Sequence, residues 1–293
     1  MTDTRPRRSC LYMPGANERA LEKAKTLPAD TLLLDLEDAV APDAKVEARE
    51  RVCAAVKAGG YGKRELIIRV NGLDTECGAD DLKAAVAAGP NGILAPKVSS
   101  ATDIAALNDA LTDAGASDDF ALWVMIETPM AILNLKNIAA CASSTRLTTF
   151  VMGTNDLAKE MRAEMTSDRL AFQTHLSMSV TAARAFDVIA IDGVYNDIKN
   201  AEGFVVEAEQ GRAMGFDGKT LIHPSQVEPC NTVFAPTEDT IAHSKDVIAA
   251  FADPENAGKG VLKVNGKMTE LLHLAEARRL VAMDEAIKAL AEG

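Results

Sequence analysis

The sequence predicts an α/β chain built on a (β/α)₈ TIM barrel, with a C-terminal helical and hairpin extension. Three observations carry this. Eight short apolar runs occur in order, at residues 9–13, 31–36, 66–70, 92–96, 122–126, 149–152, 188–191 and 220–222. Ala-rich stretches with helical spacing lie between most of them, at 18–27, 45–58, 80–88, 102–114, 169–186 and 202–214. Charged and polar residues gather just after the runs end. Strands alternating with helices imply parallel pairing, because crossover helices must cover the sheet. Eight such units in about 225 residues fit a closed barrel. A doubly wound open sheet is the alternative, but it usually shows a Gly-rich phosphate loop after an early strand, and no GxGxxG is present. The barrel is expected over residues 1–234. Residues 235–293 are expected to dock on the barrel or on a neighbouring subunit.

Taken in order, each run hands over to a polar segment. The first, with Cys10 expected in the core, leads into Pro14-Gly15-Ala16-Asn17, and the second ends in Asp35-Leu36-Glu37-Asp38. The third ends in Arg69-Val70-Asn71-Gly72, and the fourth in Pro96-Lys97. The fifth, Ala121-Leu122-Trp123-Val124-Met125-Ile126, delivers Glu127, Thr128 and Pro129, and the sixth delivers Gly153-Thr154-Asn155-Asp156. The seventh brings Asp192-Gly193 and Asn196-Asp197, and the eighth, whose strand is expected to begin nearer Phe216, brings His223-Pro224. In barrel enzymes the C-terminal rim carries the chemistry, and packing alone does not explain rim charges on nearly every strand. Beyond Phe234, Pro236 breaks the chain and a helix is expected over 241–251, then a polar loop over 253–260. Val261-Leu262-Lys263-Val264 and Lys267-Met268 around Asn265-Gly266 read as a hairpin, and a last helix follows over 271–291. This piece has too little core to fold alone.

Composition narrows the function. The chain has 293 residues, 47% hydrophobic and only 4% aromatic, so its core is built from Ala, Leu, Val, Ile and Met. A formal charge of −12 argues against a general nucleic-acid or membrane binder. No apolar run reaches membrane-span length, and no long apolar stretch follows the basic start, so no signal peptide is expected. Five scattered cysteines without a C-x-x-C pair read as reduced cytoplasmic thiols.

Glu127 and Asp156, each just past a strand, place two hard oxygen donors on one rim. That suits Mg²⁺, which takes one or two carboxylates and keeps its other positions for water and substrate. The plain alternatives are a solvated strand end for Glu127 and a helix N-cap for Asp156. An inward-facing Arg69 is costly unless paired with an anion: a substrate oxygen, a salt bridge to Asp35, Glu37 or Asp38, or both at once, since an arginine held by a protein carboxylate can still face a substrate. The three acids are expected to hold metal-bound waters or to orient Arg69 and Lys97. A basic cluster of Arg5, Arg7, Arg8, Arg19, Lys23 and Lys25 is either a solvated helix face or a phosphate site. His175, His243 and His273 give no triad, and no Ser sits in a G-x-S-x-G elbow.

Several separated motifs, in order, resemble one family. Ser9-Cys10-Leu11-Tyr12-Met13-Pro14-Gly15-Ala16-Asn17 resembles the opening of the citrate lyase beta subunit-like enzymes. Leu34-Asp35-Leu36-Glu37-Asp38-Ala39-Val40, Ile68-Arg69-Val70-Asn71-Gly72, Ile126-Glu127-Thr128 and Leu221-Ile222-His223-Pro224 match the same pattern, from about residue 7 to the C-terminus. The resemblance implies a barrel enzyme dependent on Mg²⁺ (or Mn²⁺) and acting on CoA thioesters of 3-hydroxy acids, as malyl-CoA, citramalyl-CoA and citryl lyases do. It implies metal on Glu127 and Asp156 and the reacting carbonyl near Arg69. Tyr12, Arg19 and Lys23 would meet CoA phosphates or adenine, and Ile222 and His223 would line the acyl pocket. It also implies a homotrimer or homohexamer, in which a C-terminal Asp serves the neighbouring subunit's site as acid/base. Family lyases read Gly-Lys-Met-Ile-Asp-Met-Pro there. Here the segment is Gly266-Lys267-Met268-Thr269-Glu270-Leu271-Leu272, so Glu270 takes the Asp position with one more methylene. A shift of about 1 Å in a proton-transfer group can lower the rate on the order of 10²-fold. The segments 153–160 and 192–196 most resemble the (3S)-malyl-CoA thioesterase branch, which favours hydrolysis over carbon–carbon cleavage. A carrier-protein-bound citrate lyase subunit and a CoA-binding barrel without catalysis are the remaining alternatives.

Overall fold

The computed structural model describes residues 4–292; residues 1–3 and 293, at the outer ends of the two expected domains, lie outside the described residues. The described chain groups into two compact units, one spanning Arg7–Phe234 and one built on the residues from Ala235 onward.

The first unit is a closed barrel of eight parallel strands in sequence order. Its elements are β1 (Ser9–Pro14), α1 (Glu18–Ala24), β2 (Thr31–Asp35), α2 (Lys45–Ala58), β3 (Glu65–Arg69), α3 (Gly78–Ala88), β4 (Gly92–Ala95) and α4 (Ala101–Asp113). They continue as β5 (Ala121–Ile126), α5 (Pro129–Ala140), β6 (Leu147–Met152), α6 (Thr154–Met161), α7 (Gln173–Ala185), β7 (Ile189–Asp192), α8 (Ala201–Met214), β8 (Gly218–Leu221) and α9 (Val227–Phe234).

The strands read as continuous apolar runs because both faces are covered. Alternate residues split between two cores. Cys10, Leu33, Ile67, Leu94, Trp123 and Val151 fill the barrel interior. Their neighbours Leu11, Leu32, Leu34, Ile68, Ile93 and Phe150 pack outward, with Leu21, Val52, Leu82 and Ile104 of the helices. This period of two decides which polar residues face inward at the rim. Asp35 continues the inward series of Leu33, Arg69 that of Ile67, and Glu127 that of Trp123 and Met125.

Three helices, α5, α6 and α9, were not among the expected helical stretches. The first two begin directly at the rim, α5 capped by Thr128 Oγ1 accepting from the Ala131 amide at 3.0 Å. The stretch expected as helix from Arg169 starts only at Gln173, because Arg169 takes a left-handed backbone (φ 54°) and turns inward. There it meets Asp192 at 2.7 Å, while Lys219 reaches Asp192 at 3.1 Å and Glu207 at 2.7 Å. These charges are sealed outside the barrel wall, beneath α8. Burial opposes the Asp192 charge, but Lys219 and Arg169 outweigh it and hold its pKa below the ordinary carboxylate range.

The second unit contains α10 (Glu238–Ala252), the antiparallel hairpin β9 (Val261–Val264) and β10 (Lys267–Glu270), and α11 (Leu271–Ala291). Asn265 (φ 48°) and Gly266 (φ 81°) both take the left-handed conformation a two-residue hairpin turn demands. Val247, Val264, Leu274 and Ala277 form its small core. No helix among the described residues is long and apolar enough to cross a membrane, and all five cysteines are free thiols.

Candidate active site

The site is assembled where β2 to β6 open at the C-terminal rim. Asp35 and Arg69 are partners in register on neighbouring strands and point to the same side. Asp35 grips the guanidinium with both oxygens, accepting from Arg69 Nε at 2.7 Å and from Nη2 at 2.6 Å. Two backbone amides, Glu37 N at 2.8 Å and Ala39 N at 3.2 Å, hold Asp35 in turn. Arg69 Nη1 lies 2.6 Å from Glu37 Oε2 and 3.3 Å from Asp38 Oδ2. The acid cluster thus fixes the arginine, as one of its expected roles requires. Among the described residues, no three His, Cys, Asp or Glu side chains are grouped to hold a metal.

Tyr12 lies beneath this group, with the Arg69 guanidinium 4.7 Å from its ring centroid, a cation–π contact. Burial pushes the phenol well above its ordinary pKa, although Arg69 opposes the shift. Burial disfavours the Arg69 charge, but Tyr12, Asp35 and Glu37 together hold it firmly protonated. Tyr12 therefore stands at Arg69. Arg19 and Lys23, grouped with it from the sequence, lie on exposed positions of α1.

Glu37 is the unusual carboxylate. Its Oε2 is buried and makes no aligned hydrogen bond despite the nearby Arg69. Burial therefore dominates, and with Asp38 and Glu127 also repelling, the pKa rises from 4.5 to about 7 against the pull of Arg69. The folded state then holds a proton between those values that the unfolded chain has already lost. The contribution of this group to stability is full below pH 4.5 and is lost as pH rises through about 7. Replacing Glu37 by Gln is expected to remove that part of the slope. Denaturant titrations of both proteins between pH 5 and 8, about the range carboxyl linkage spans here, should converge at the acid end and separate in favour of the variant at the alkaline end.

Glu127 is 1% exposed, and its Oε1 accepts from the Lys97 backbone amide at 2.7 Å. Burial raises its pKa to about 7, with Lys97 pulling the other way. It fits against β6 only because residue 153 is glycine: a Cβ there would sit 2.4 Å from Glu127 Cβ and 2.5 Å from Oε2. Asp156 lies in the first turn of α6, whose N-cap is Gly153, so the expected alternative of an Asp156 N-cap does not hold. Asn155 beside it is tied to Asn196 by two reciprocal amide hydrogen bonds, at 3.1 and 2.7 Å, joining the loops after β6 and β7.

The two carboxylates converge on one point. The Lys97 ammonium lies 2.5 Å from Asp156 Oδ1 and 3.6 Å from Glu127 Oε1. A cation already fits between them, and the donor set suits a hard divalent ion with room for water and substrate. Lys97 itself has a left-handed backbone (φ 56°), a conformation uncommon for residues other than glycine. His223 caps the short turn after β8 through Ser225, and Ile222 beside it is 40% exposed. Glu270 belongs to the second unit, at the end of β10 and the N-cap of α11.

Sequence reasoning named Lys97 only as a residue to be oriented, and it did not find the Arg169–Asp192–Glu207–Lys219 cluster. The one available signal was a lysine following proline at a strand end, opposite two rim acids.

The model of the HpcH/HpaI aldolase/citrate lyase family matches residues 8–224. The chain belongs to this family. It is an enzyme of the citrate lyase beta-like group, and its relatives match along nearly their whole length. It is 49% identical over 284 residues to a (3S)-malyl-CoA thioesterase of Cereibacter sphaeroides, covering 97% of this chain and 96% of that one. To the citrate lyase subunit beta of Escherichia coli it is 33% identical over 290 residues, covering 96% and 94%. Among solved structures it is similar to CitE from Mycobacterium tuberculosis in complex with magnesium, acetoacetate and coenzyme A. That match has a TM-score of 0.74 and 25% identity, and covers 94% of this chain and 97% of that one.

Proposed function

We propose that this family member is a Mg²⁺-dependent enzyme acting on 3-hydroxyacyl-CoA thioesters such as (3S)-malyl-CoA, and that it hydrolyses them to the free hydroxy acid and CoA. The observation that carries the reading is Arg69, fixed by Asp35 on the same rim as the convergent pair Glu127 and Asp156. The likeness to a (3S)-malyl-CoA thioesterase supports the choice of substrate, and the magnesium in the CitE complex supports the choice of ion.

Glu127 and Asp156 would hold the ion. Bound there, a divalent cation supplies Lewis acidity and positive charge for the hydroxyl and carboxylate oxygens of the substrate. The remaining chemistry falls to the chain. Asp35 pre-orients Arg69, which donates hydrogen bonds to the thioester oxygen as it gains charge. Glu37, held beside Arg69 without an aligned hydrogen bond to its Oε2 and with a pKa near neutrality, takes the proton of the attacking water. The water oxygen bonds to the carbonyl carbon, the C–S bond breaks, and the CoA sulfur leaves as the thiol with the proton that Glu37 took from the water. Arg19 and Lys23, exposed on α1, would meet the CoA phosphates, with Ile222 and His223 beside the acyl group.

We place Glu270 at a neighbouring subunit's site in a homotrimer or homohexamer, docked there by the C-terminal unit. Around it Val261, Met268, Leu271 and Leu272 are all exposed by half or more, an apolar surface of the kind that a partner covers. Nucleic acid and membrane are not expected partners, and the reduced thiols fit the cytoplasm.

Carbon–carbon cleavage is the second reading, favoured by the citrate lyase subunit beta relatives. There Arg69 would stabilise the thioester enolate and Glu270 would protonate its carbon. Incubating the purified chain with malyl-CoA and Mg²⁺ separates the two. Free CoA with malate is expected. Acetyl-CoA with glyoxylate would establish the lyase, and inactivity on any free acyl-CoA would point to a carrier-bound substrate.

A further inference from the structure

We propose that Lys97 is an internal rival of the divalent cation: its ammonium occupies the seat between Glu127 and Asp156 and must leave Asp156 before an ion can enter. This rests on the assignment of those two carboxylates as the ion's ligands.

The geometry separates a fixed backbone from a movable charge. The Lys97 backbone amide donates to Glu127 Oε1 at 2.7 Å, so the main chain is bound to the same carboxylate that the ammonium approaches. The residues that follow are held too. The Ser99 amide donates to Asp103 at 2.9 Å, and the Ser99 carbonyl accepts from Asn134 at 2.8 Å. Ser99 Oγ lies 2.8 Å from Thr128 Oγ1, the hydroxyl that caps α5 just beyond Glu127. The side chain is different. It is 40% exposed, and Asp156, which it touches most closely, is 31% exposed. Rotation about its four-carbon stem takes the ammonium into solvent without disturbing the loop.

Charge gives the motion its direction. Two carboxylates facing one point repel each other, and the Glu127 side chain, only 2% exposed, has little water to relieve it. A single ammonium between them is partial compensation, with one good contact and one long one. A divalent ion brings twice the charge at shorter distance and favours release of the lysine, since three positive charges would otherwise crowd one seat. Once out, the ammonium remains tethered at the mouth of the site, where the carboxylate of an incoming substrate is an available partner. The lysine would then link ion entry to substrate capture.

The test is Mg²⁺ binding, read by isothermal titration calorimetry without substrate. Lys97→Met is expected to bind Mg²⁺ about tenfold more tightly than wild type, because no resident charge has to be displaced. Lys97→Arg, which keeps a cation there, is expected to return toward the wild-type constant. In parallel, the Mg²⁺-free melting temperature of Lys97→Met should fall and its rise on saturation with Mg²⁺ should exceed that of wild type. Equal or weaker Mg²⁺ binding by Lys97→Met overturns the proposal. Binding by wild type that survives Glu127→Gln instead overturns the ligand assignment, whatever Lys97 does. Uptake of Mg²⁺ by neither protein overturns both.

Discussion

Arg69→Lys is expected to lower kcat on the order of 10²- to 10³-fold with a much smaller change in melting temperature. Lysine keeps the positive charge beside Asp35, so the buried acid is not left uncompensated. It cannot reproduce the two parallel bonds from Nε and Nη2, at 2.7 and 2.6 Å, that set the plane of the guanidinium. It also loses the stacking on Tyr12. The result is a charge of the right sign in an undefined place, which lowers transition-state stabilisation more than ground-state binding. KM should therefore move less than kcat. Arg69→Met makes the complementary point. With Asp35 only 1% exposed, removing its partner is expected to lower stability by about 3–5 kcal/mol. Thiol-release kinetics and denaturant melts on the two variants separate the catalytic from the structural contribution. Equal activity in wild type and Arg69→Lys would remove Arg69 from the chemistry.

Glu127→Gln is expected to abolish Mg²⁺-dependent turnover, by about 10³-fold or more, while leaving the fold intact. The amide has the same shape, and its oxygen still accepts from the Lys97 amide. It also takes a negative charge out of a position that is 1% exposed. Loss of activity without loss of stability distinguishes a group kept for its ligand from one kept for packing. The measurements are turnover against Mg²⁺ concentration and a melt of the metal-free protein. A variant that retained wild-type dependence on Mg²⁺ would place the ion elsewhere.

The barrel was legible because its physics is repetitive. Each strand is an apolar run sealed on both faces, and each crossover is Ala-rich with helical spacing. What escaped was local. The helix α5 begins at Pro129, with only its cap Thr128 between it and Glu127, so no loop announces it. The late start of α7 depends on Arg169 meeting Asp192, 23 positions later in the chain, and no local pattern encodes such a pairing. In the site, Arg69 and its acids could be found because an arginine ending a buried strand demands a partner, and Asp35 on the next strand supplies it. The family resemblance places Tyr12 with Arg19 and Lys23 at the CoA phosphates or adenine, and says nothing of a contact with Arg69. Strand alternation turns its ring inward onto Arg69. Lys97 was visible only as a charge at a strand end, because the convergence of its ammonium on two acids arises when β4, β5 and β6 stand side by side.

The sealed charges beneath α8 bear on how the barrel can come together. Asp192 belongs to β7, Lys219 to β8, Glu207 to α8 and Arg169 to the segment before α7. None of the four has a satisfactory surrounding until the others arrive. A growing chain that had formed β7 but not yet β8 would hold an acid facing an incomplete counter-charge. A partial barrel lacking the last strand is therefore disfavoured as a resting state, because it would leave a buried acid short of its counter-charge.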